Sequence, residues 1–362
     1  MTHVKEKRAA PFHIPSLDGI RALAFLTVFV GHAGLADRVP GGFGVTAFFF
    51  LSGYLITTLM RMEQENAGRV SLKQFYLRRT LRILPPFYFV LLVATVAAVI
   101  GVLPGGVSGG AVAALALHAG NYWIILNGYA GPPSGTGVYW SLAVEEHFYL
   151  VFPLLFIVLS RYLSSRARQA LVLYGLCALV LVWRTFLVYG LHVSTDRTYM
   201  GSDTRIDSIL YGCALALYGN PVLDGPSRIA ETVWKWILVP LGSAGLLFAL
   251  VYRTPAFRET LRYSMQGVAL TPIFIAAVRY PRWLLFRPLN TRVASFLGLL
   301  SYSLYLVHYS LLDLVKAHVN AHPVVQGGMA LLASIAASWV IYRIIEKPCA
   351  AIRRRLATVK TE

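Results

Sequence analysis

The stretch Leu17-Asp-Gly-Ile-Arg-Ala-Leu-Ala-Phe-Leu-Thr-Val-Phe-Val-Gly-His-Ala-Gly-Leu35 decides the fold class. It is long and apolar enough to cross a bilayer as a helix, yet it carries Arg21 and His32. Ionisable groups at membrane depth are costly, so both must face protein or a wet cavity rather than lipid. The two are eleven residues apart. At about 100° per residue that is roughly three turns plus 20°, which puts both on one helix face about 16 Å apart. The plainer reading is an Arg snorkelling from the helix end and a hydrogen-bonded core His.

The rest of the chain agrees with a membrane assignment. Of 362 residues, 57% are hydrophobic and only 14% charged, which excludes an ordinary soluble domain. Apolar runs recur at about 17–35, 43–60, 84–103, 140–159, 169–190, 205–219, 234–252, 263–279, 294–316 and 326–345. A shorter apolar segment at 111–126 reads as re-entrant or interfacial. That choice leaves the basic loops 61–82, 161–168 and 279–292 and both termini on one side, the cytoplasmic one by the positive-inside rule. The expectation is an all-α polytopic membrane protein of about ten transmembrane helices plus a re-entrant helix, N-in and C-in. Residues 1–350 form one transmembrane domain and 351–362 a short basic cytoplasmic tail. The charged leader Met1-Thr-His-Val-Lys-Glu-Lys-Arg8 precedes a retained first span, since no small-residue cleavage site follows it.

The net charge of +17 is accounted for by basic loops beside spans, so no nucleic-acid partner is expected. Cys177, Cys213 and Cys349 have no metal-ligand spacing, and neither a metal site nor a disulfide framework is expected.

Several polar groups stand out against this background. Arg79 and Arg82 are three apart in Phe75-Tyr-Leu-Arg-Arg-Thr-Leu-Arg-Ile-Leu-Pro85, so on a helix their guanidinium groups neighbour one another and suit a phosphate. Ordinary topology or contact with anionic lipid would also explain a basic loop here. Ser52 and Gly53 lie mid-span in a run of small residues that favours close helix packing; no base is evident to make Ser52 a nucleophile. Glu145, Glu146 and His147 enter an apolar helix together. They spread over about 200°, so they cannot all face one cavity. Glu145 is expected to pair inside the bundle, in a structural or a catalytic role. Arg205 and Asp207 read as an ion pair at the outer end of their span, and His308 as a core histidine.

Taken together, these stretches resemble the acyltransferase-3 family of integral membrane O-acyltransferases. The features are Arg21-x10-His32, Phe48-Phe49-x-x-Ser52-Gly53-Tyr54-Leu55-Ile56 and Arg78-Arg79-x-x-Arg82-Ile83-x-Pro85. They continue with Trp140-Ser-Leu-Ala-Val-Glu-Glu146, Ser301-Tyr-Ser-Leu-Tyr-Leu-x-His308 and Glu346-x-Pro348. The resemblance covers about Ile14 to Pro348. Two positions depart from it: Thr46 stands where the family usually carries an acidic residue, and His147 where it commonly has Gln. No appended esterase-like domain is seen, so acceptor selection would rest with the membrane domain.

The resemblance implies transfer of an acetyl group from acetyl-CoA to a hydroxyl of a bacterial surface or exported polysaccharide, or of its lipid-linked precursor. The setting would be the bacterial inner membrane, beside polysaccharide assembly proteins. Acetyl-CoA would be a donor substrate, with no cofactor bound permanently. Implied catalytic residues are His32, Arg21 and Glu145; Arg78, Arg79, Arg82 and Ser52 would hold the donor. Direct transfer with His32 as general base and an acetyl-His32 intermediate remain open alternatives. The competing class is a secondary transporter or flippase for an anionic or lipid-linked substrate, which the lack of an internal repeat disfavours. A structural partner in a polysaccharide assembly complex is the third.

Overall fold

The computed structural model describes residues 14–35 and 39–358. The charged leader and the last four residues of the tail lie outside them. Among the described residues the regular structure is helical, with no strand. In order, the helices are α1 (Leu17–Val30), α2 (Gly41–Ala67), α3 (Leu72–Val99), α4 (Gly109–Ala116), α5 (Gly120–Asn127), α6 (Trp140–Tyr162), α7 (Arg166–Tyr189) and α8 (Thr195–Met200). They continue as α9 (Ser202–Leu217), α10 (Glu231–Val233), α11 (Val239–Val251), α12 (Pro255–Glu259), α13 (Leu261–Arg279), α14 (Arg292–His318), α15 (Pro323–Ile341) and α16 (Lys347–Thr358). Wider π-helical turns extend α1 (Gly31–Leu35), join α10 to α11 (Trp234–Leu238) and join α15 to α16 (Tyr342–Glu346).

Nine helical segments among the described residues are long and apolar enough to span a membrane. The run expected at 205–219 is α9, whose 16 residues make about 24 Å of helix, short of a full crossing. Apart from Asp203 and Ile206 its side chains are buried, so other helices rather than lipid surround it. The 111–126 segment becomes two short helices, α4 and α5, separated at His118, which adopts a left-handed φ of 54°. Leu171, Leu179, Val182 and Phe186 of α7 and Leu241, Leu247 and Phe248 of α11 are exposed, as expected for lipid-facing positions.

Backbone contact decides where α9 sits. A Cβ at Gly53 of α2 would lie 2.0 Å from the carbonyl oxygen of Ile209, and one at Gly212 of α9 would lie 1.9 Å from that of Phe50. Each helix therefore presents glycine to the other's backbone at the crossing, the small-residue packing that membrane helices use when hydrophobic burial cannot drive association. Gly212→Leu is expected to push the helices apart and abolish a monodisperse folded peak in detergent size exclusion. Recovery of that peak at the wild-type level would contradict the crossing.

Hydrogen bonds define two faces. On the first, Ser16 N donates to Asn290 Oδ1 at 2.9 Å, Arg166 donates to Gln64 Oε1 at 3.0 Å, and Arg61 pairs with Asp224 at 2.5 Å. This face carries the basic segments 61–82 and 280–291. On the second, Lys316 Nζ donates to the His32 carbonyl at 3.3 Å, Asn121 donates to the Met200 carbonyl at 3.1 Å, and Thr195 donates to Glu259 at 2.9 Å. Serine caps α3 at the basic face: Ser71 Oγ accepts from Gln74 N at 3.4 Å, while Ser71 N donates to Glu63 Oε1 at 2.8 Å.

Candidate active site

Towards the basic face, α1, α2, α3, α6 and α14 enclose a chamber of about 90 Å³. Its polar lining includes Arg21, Ser52, Arg79, Arg82, Glu145 and Glu146. Pro85 and Pro86 remain inside α3, where they remove the intrahelical donors to the carbonyls of Leu81 and Arg82, one turn from these arginines. Arg21 is oriented within α1 by Asp18, one turn back, at 2.5 Å. Ser52 Oγ donates to Glu145 Oε1 at 2.7 Å, tying α2 to α6. The Arg79 guanidinium lies over the Tyr149 ring, 5.1 Å from its centroid. Glu146 Oε1 is buried with no hydrogen-bond partner. Three guanidinium groups against two carboxylates make the chamber an anion-favouring space within an apolar bundle.

Five of the residues singled out from sequence, Arg21, Ser52, Arg79, Arg82 and Glu145, thus converge on one cavity. Glu146 joins them, where only Glu145 was expected to pair inside the bundle, because adjacent helical positions are only about 100° apart and this chamber meets both. His147 points elsewhere, its Nδ1 2.7 Å from Ser202 Oγ. Arg78 also turns away from the chamber. It pairs with Glu63 at 2.6 Å and lines a second cavity of about 200 Å³ with Arg79, Arg82 and Arg353. Arg79 and Arg82 line both cavities and so form the partition between them. Arg353 arrives there because α16 continues the last helix to Thr358 across the start of the predicted tail.

His32 does not line this chamber, although the sequence places it on the same helix face as Arg21. The rings of Phe25 and Tyr305 lie between the chamber and the histidine. Tyr305 lines the chamber on one side and lies 5.6 Å from the His308 ring on the other, while Phe25 meets His308 edge-on at 5.7 Å. The His32 ring stacks on Tyr309 at 4.5 Å, in the π-helical turn that ends at Gly34 with φ 102°. That positive φ suits glycine and lets α1 stop just beyond the imidazole.

The hydrogen bonds of the two histidines fix their tautomers. His308 is fully buried, with Nδ1 2.8 Å from the Tyr305 carbonyl and 3.2 Å from that of Leu304. A carbonyl can only accept, so His308 Nδ1 carries the proton and neutral His308 presents a lone pair at Nε2. His32 Nδ1 lies 3.0 Å from that Nε2 and must donate to it. The lone pair of His32 is thereby left on Nε2. The sequence marked His308 only as a core histidine; its partner lies 276 positions away in the chain.

The expected ion pair between Arg205 and Asp207 does not form. Asp207 pairs instead with Arg184 of α7 at 2.9 Å, both side chains wholly buried. Arg184 also donates to the carbonyls of Thr260 and Thr204 at 2.9 and 2.6 Å and to Ser264 Oγ at 3.0 Å. Two positions along a helix are about 200° apart, so Arg205 and Asp207 project to opposite sides. Arg205 enters an aromatic cage, 4.0 Å from the Tyr263 centroid and 5.3 Å from that of Tyr199, with Phe49 and Trp140 beyond. It donates to the Tyr199 carbonyl at 2.9 Å and to Thr46 Oγ1 at 3.2 Å, and its Nε has no partner. Thr46, one of the two positions that depart from the family pattern, therefore touches this guanidinium.

Comparison with known proteins finds curated relatives along most of the chain. OatA, the peptidoglycan O-acetyltransferase of Listeria monocytogenes, is 30% identical over 354 residues, covering 93% of this chain and 56% of OatA. YrhL of Bacillus subtilis, provisionally named a peptidoglycan O-acetyltransferase, is 34% identical over 317 residues, 83% of this chain and 49% of YrhL. A Staphylococcus aureus protein provisionally named an O-acetyltransferase is 29% identical over 351 residues, 93% of this chain and 57% of the relative. The chain thus spans about half the length of the curated relatives it matches. No solved structure matches it. The family model described as an acyltransferase domain, acyltransferase-3, matches residues 14–343. With that match running through nearly every helix that builds the chamber, the chain belongs to the acyltransferase-3 family.

Proposed function

We propose that this multi-pass membrane protein transfers an acetyl group from acetyl-CoA to a hydroxyl of a bacterial surface or exported polysaccharide, or of its lipid-linked precursor. The observation that carries the reading is the arginine partition. Arg79 and Arg82 face an arginine-rich cavity on the basic side and a smaller chamber on the other. A donor with a polyphosphate head and a thin acyl-bearing arm fits that pair of spaces: phosphates outside with Arg78 and Arg353, arm inside. The basic face is cytoplasmic in this reading, by the positive-inside rule, and the membrane is the bacterial inner membrane.

In the reaction, His32 Nε2 removes the proton of the acceptor hydroxyl as its oxygen attacks the thioester carbonyl. The C–S bond breaks, the CoA thiolate leaves, and the proton held on His32 passes to it. Arg21 positions the donor arm, and the hydrogen-bonded Ser52 and Glu145 shape the chamber floor. Reaching His32 from the chamber requires the Tyr305 ring to turn aside, since it stands between the two.

Purified protein in proteoliposomes, given labelled acetyl-CoA and a polysaccharide acceptor, is expected to yield acetylated glycan. A transporter or flippase would leave none. Arg79→Ala with Arg82→Ala removes two charge-assisted contacts and is expected to weaken acetyl-CoA binding about 100-fold or more. Acceptor KM should stay within about twofold, because those side chains hold phosphate rather than sugar. An unchanged acetyl-CoA titration would count against the donor assignment.

A further inference from the structure

On the face opposite the arginine partition, the start of α2, the end of α11, and α8, α12 and α13 surround a cleft of about 370 Å³. Among the described residues, Arg258 and Arg262 line it with one carboxylate, Glu259, which already accepts from Thr195 at 2.9 Å. The cleft is therefore cationic. Gln266 also lines it, only 2% exposed, and its Oε1 has no hydrogen-bond partner. A buried amide oxygen with no protein partner is costly and accepts readily from a donor that enters the cleft. Arg262 Nε is likewise buried without a partner, although its Nη2 donates to Tyr263 at 2.8 Å.

We infer that this cleft binds an acidic sugar unit of the acceptor glycan; this rests on the acetyl-transfer reading above. The arginines call for a carboxylate or phosphate, and the Gln266 oxygen calls for a hydroxyl or amide N–H on the same ligand. Sulfate or chloride offers no such donor, whereas a charged sugar offers both. The cleft also lies against the reaction path. Tyr199 and Tyr263 form its wall and at the same time cage Arg205, whose other side meets Phe49 of the chamber. Gly41 in the cleft packs on Gly31, the residue before His32, so closely that a Cβ on Gly31 would lie 2.9 Å from the Gly41 Cα. A sugar seated there is held beside the turn that carries the imidazole.

The test uses the full chain in phosphatidylcholine nanodiscs. It is titrated with the disaccharide of N-acetylglucosamine and N-acetylmuramic acid, and separately with uncharged chitobiose. The acidic disaccharide is expected to bind about tenfold or more tightly than chitobiose. Arg258→Gln, at an exposed position that folding does not depend on, should erase most of that preference; Gln266→Leu should weaken both sugars. Acetyl-CoA binding, measured on the same samples, should not change in either variant. Equal binding of the two disaccharides, no binding of either, or an unaltered preference in Arg258→Gln overturns the cleft assignment. Loss of sugar binding in phosphatidylglycerol nanodiscs, restored by Arg258→Gln, would identify a lipid-headgroup site and overturn it too. Failure of the wild type to bind acetyl-CoA would instead overturn the donor reading.

Discussion

His32→Ala is expected to lower acetyl transfer by about 10²- to 10⁴-fold, the usual contribution of a positioned general base. Acetyl-CoA binding should remain within about twofold, because in the proposed reading the donor's phosphates would meet arginines on the basic face and not this ring. His308 acts through His32 and gives a finer test. By accepting from His32 Nδ1 at 3.0 Å it holds the reactive lone pair on Nε2. His308→Phe, which cannot accept that proton, should lower kcat about tenfold without changing the acetyl-CoA KM. His308→Gln supplies an amide oxygen acceptor and should recover part of the loss. A fully active His32→Ala protein, assayed after purification, would end the general-base assignment.

Arg184→Ala should produce the largest loss of stability of any single truncation considered for this chain. It strands Asp207 wholly buried, without its cation and without the guanidinium that also serves two backbone carbonyls and Ser264. Removing one partner of a buried pair costs about 3–5 kcal/mol. The network joins α7, α9 and α13, so the effect should appear as a lower midpoint for the whole bundle rather than fraying of one helix. Arg184→Met with Asp207→Leu removes both charges and should regain much of the loss, which separates a stranded charge from simple loss of packing. An Arg184→Ala midpoint within about a degree of wild type would show that the pair is not what fastens these helices.

Both predictions depend on contacts between distant parts of the chain, and that is where reading the sequence alone reached its limit. The spans were legible because each is a long apolar run; Arg21 and Glu145 because an ionisable group in such a run must face inward, Arg79 and Arg82 because residues three apart on a helix are neighbours, and Ser52 through the family resemblance. All five line one chamber. The position of His32 along its helix was legible too, but not the rings of Phe25 and Tyr305 that part it from Arg21. Arg184 carried no local signal that it would take Asp207, and only α9's burial turned Arg205 toward tyrosines. The run at 205–219 was read as a full crossing, whereas α9, Ser202–Leu217, has only 16 residues and is buried among other helices. Arg78 was grouped with its neighbours by adjacency, whereas one step along a helix is enough to turn it towards Glu63.

The placement of Tyr305 has a bearing on the energetics of the cell as well as on the chemistry. Its hydroxyl is anchored by Ser141 at 2.7 Å and the Val138 carbonyl at 3.0 Å, so at rest the aromatic ring is a stopper rather than a swinging door. The transfer proposed above would need a path from the chamber to the histidine pair, and such a path must not become a leak for protons. With that stopper seated the two spaces stay separate, and in that reading the path would open only while a donor arm fills it.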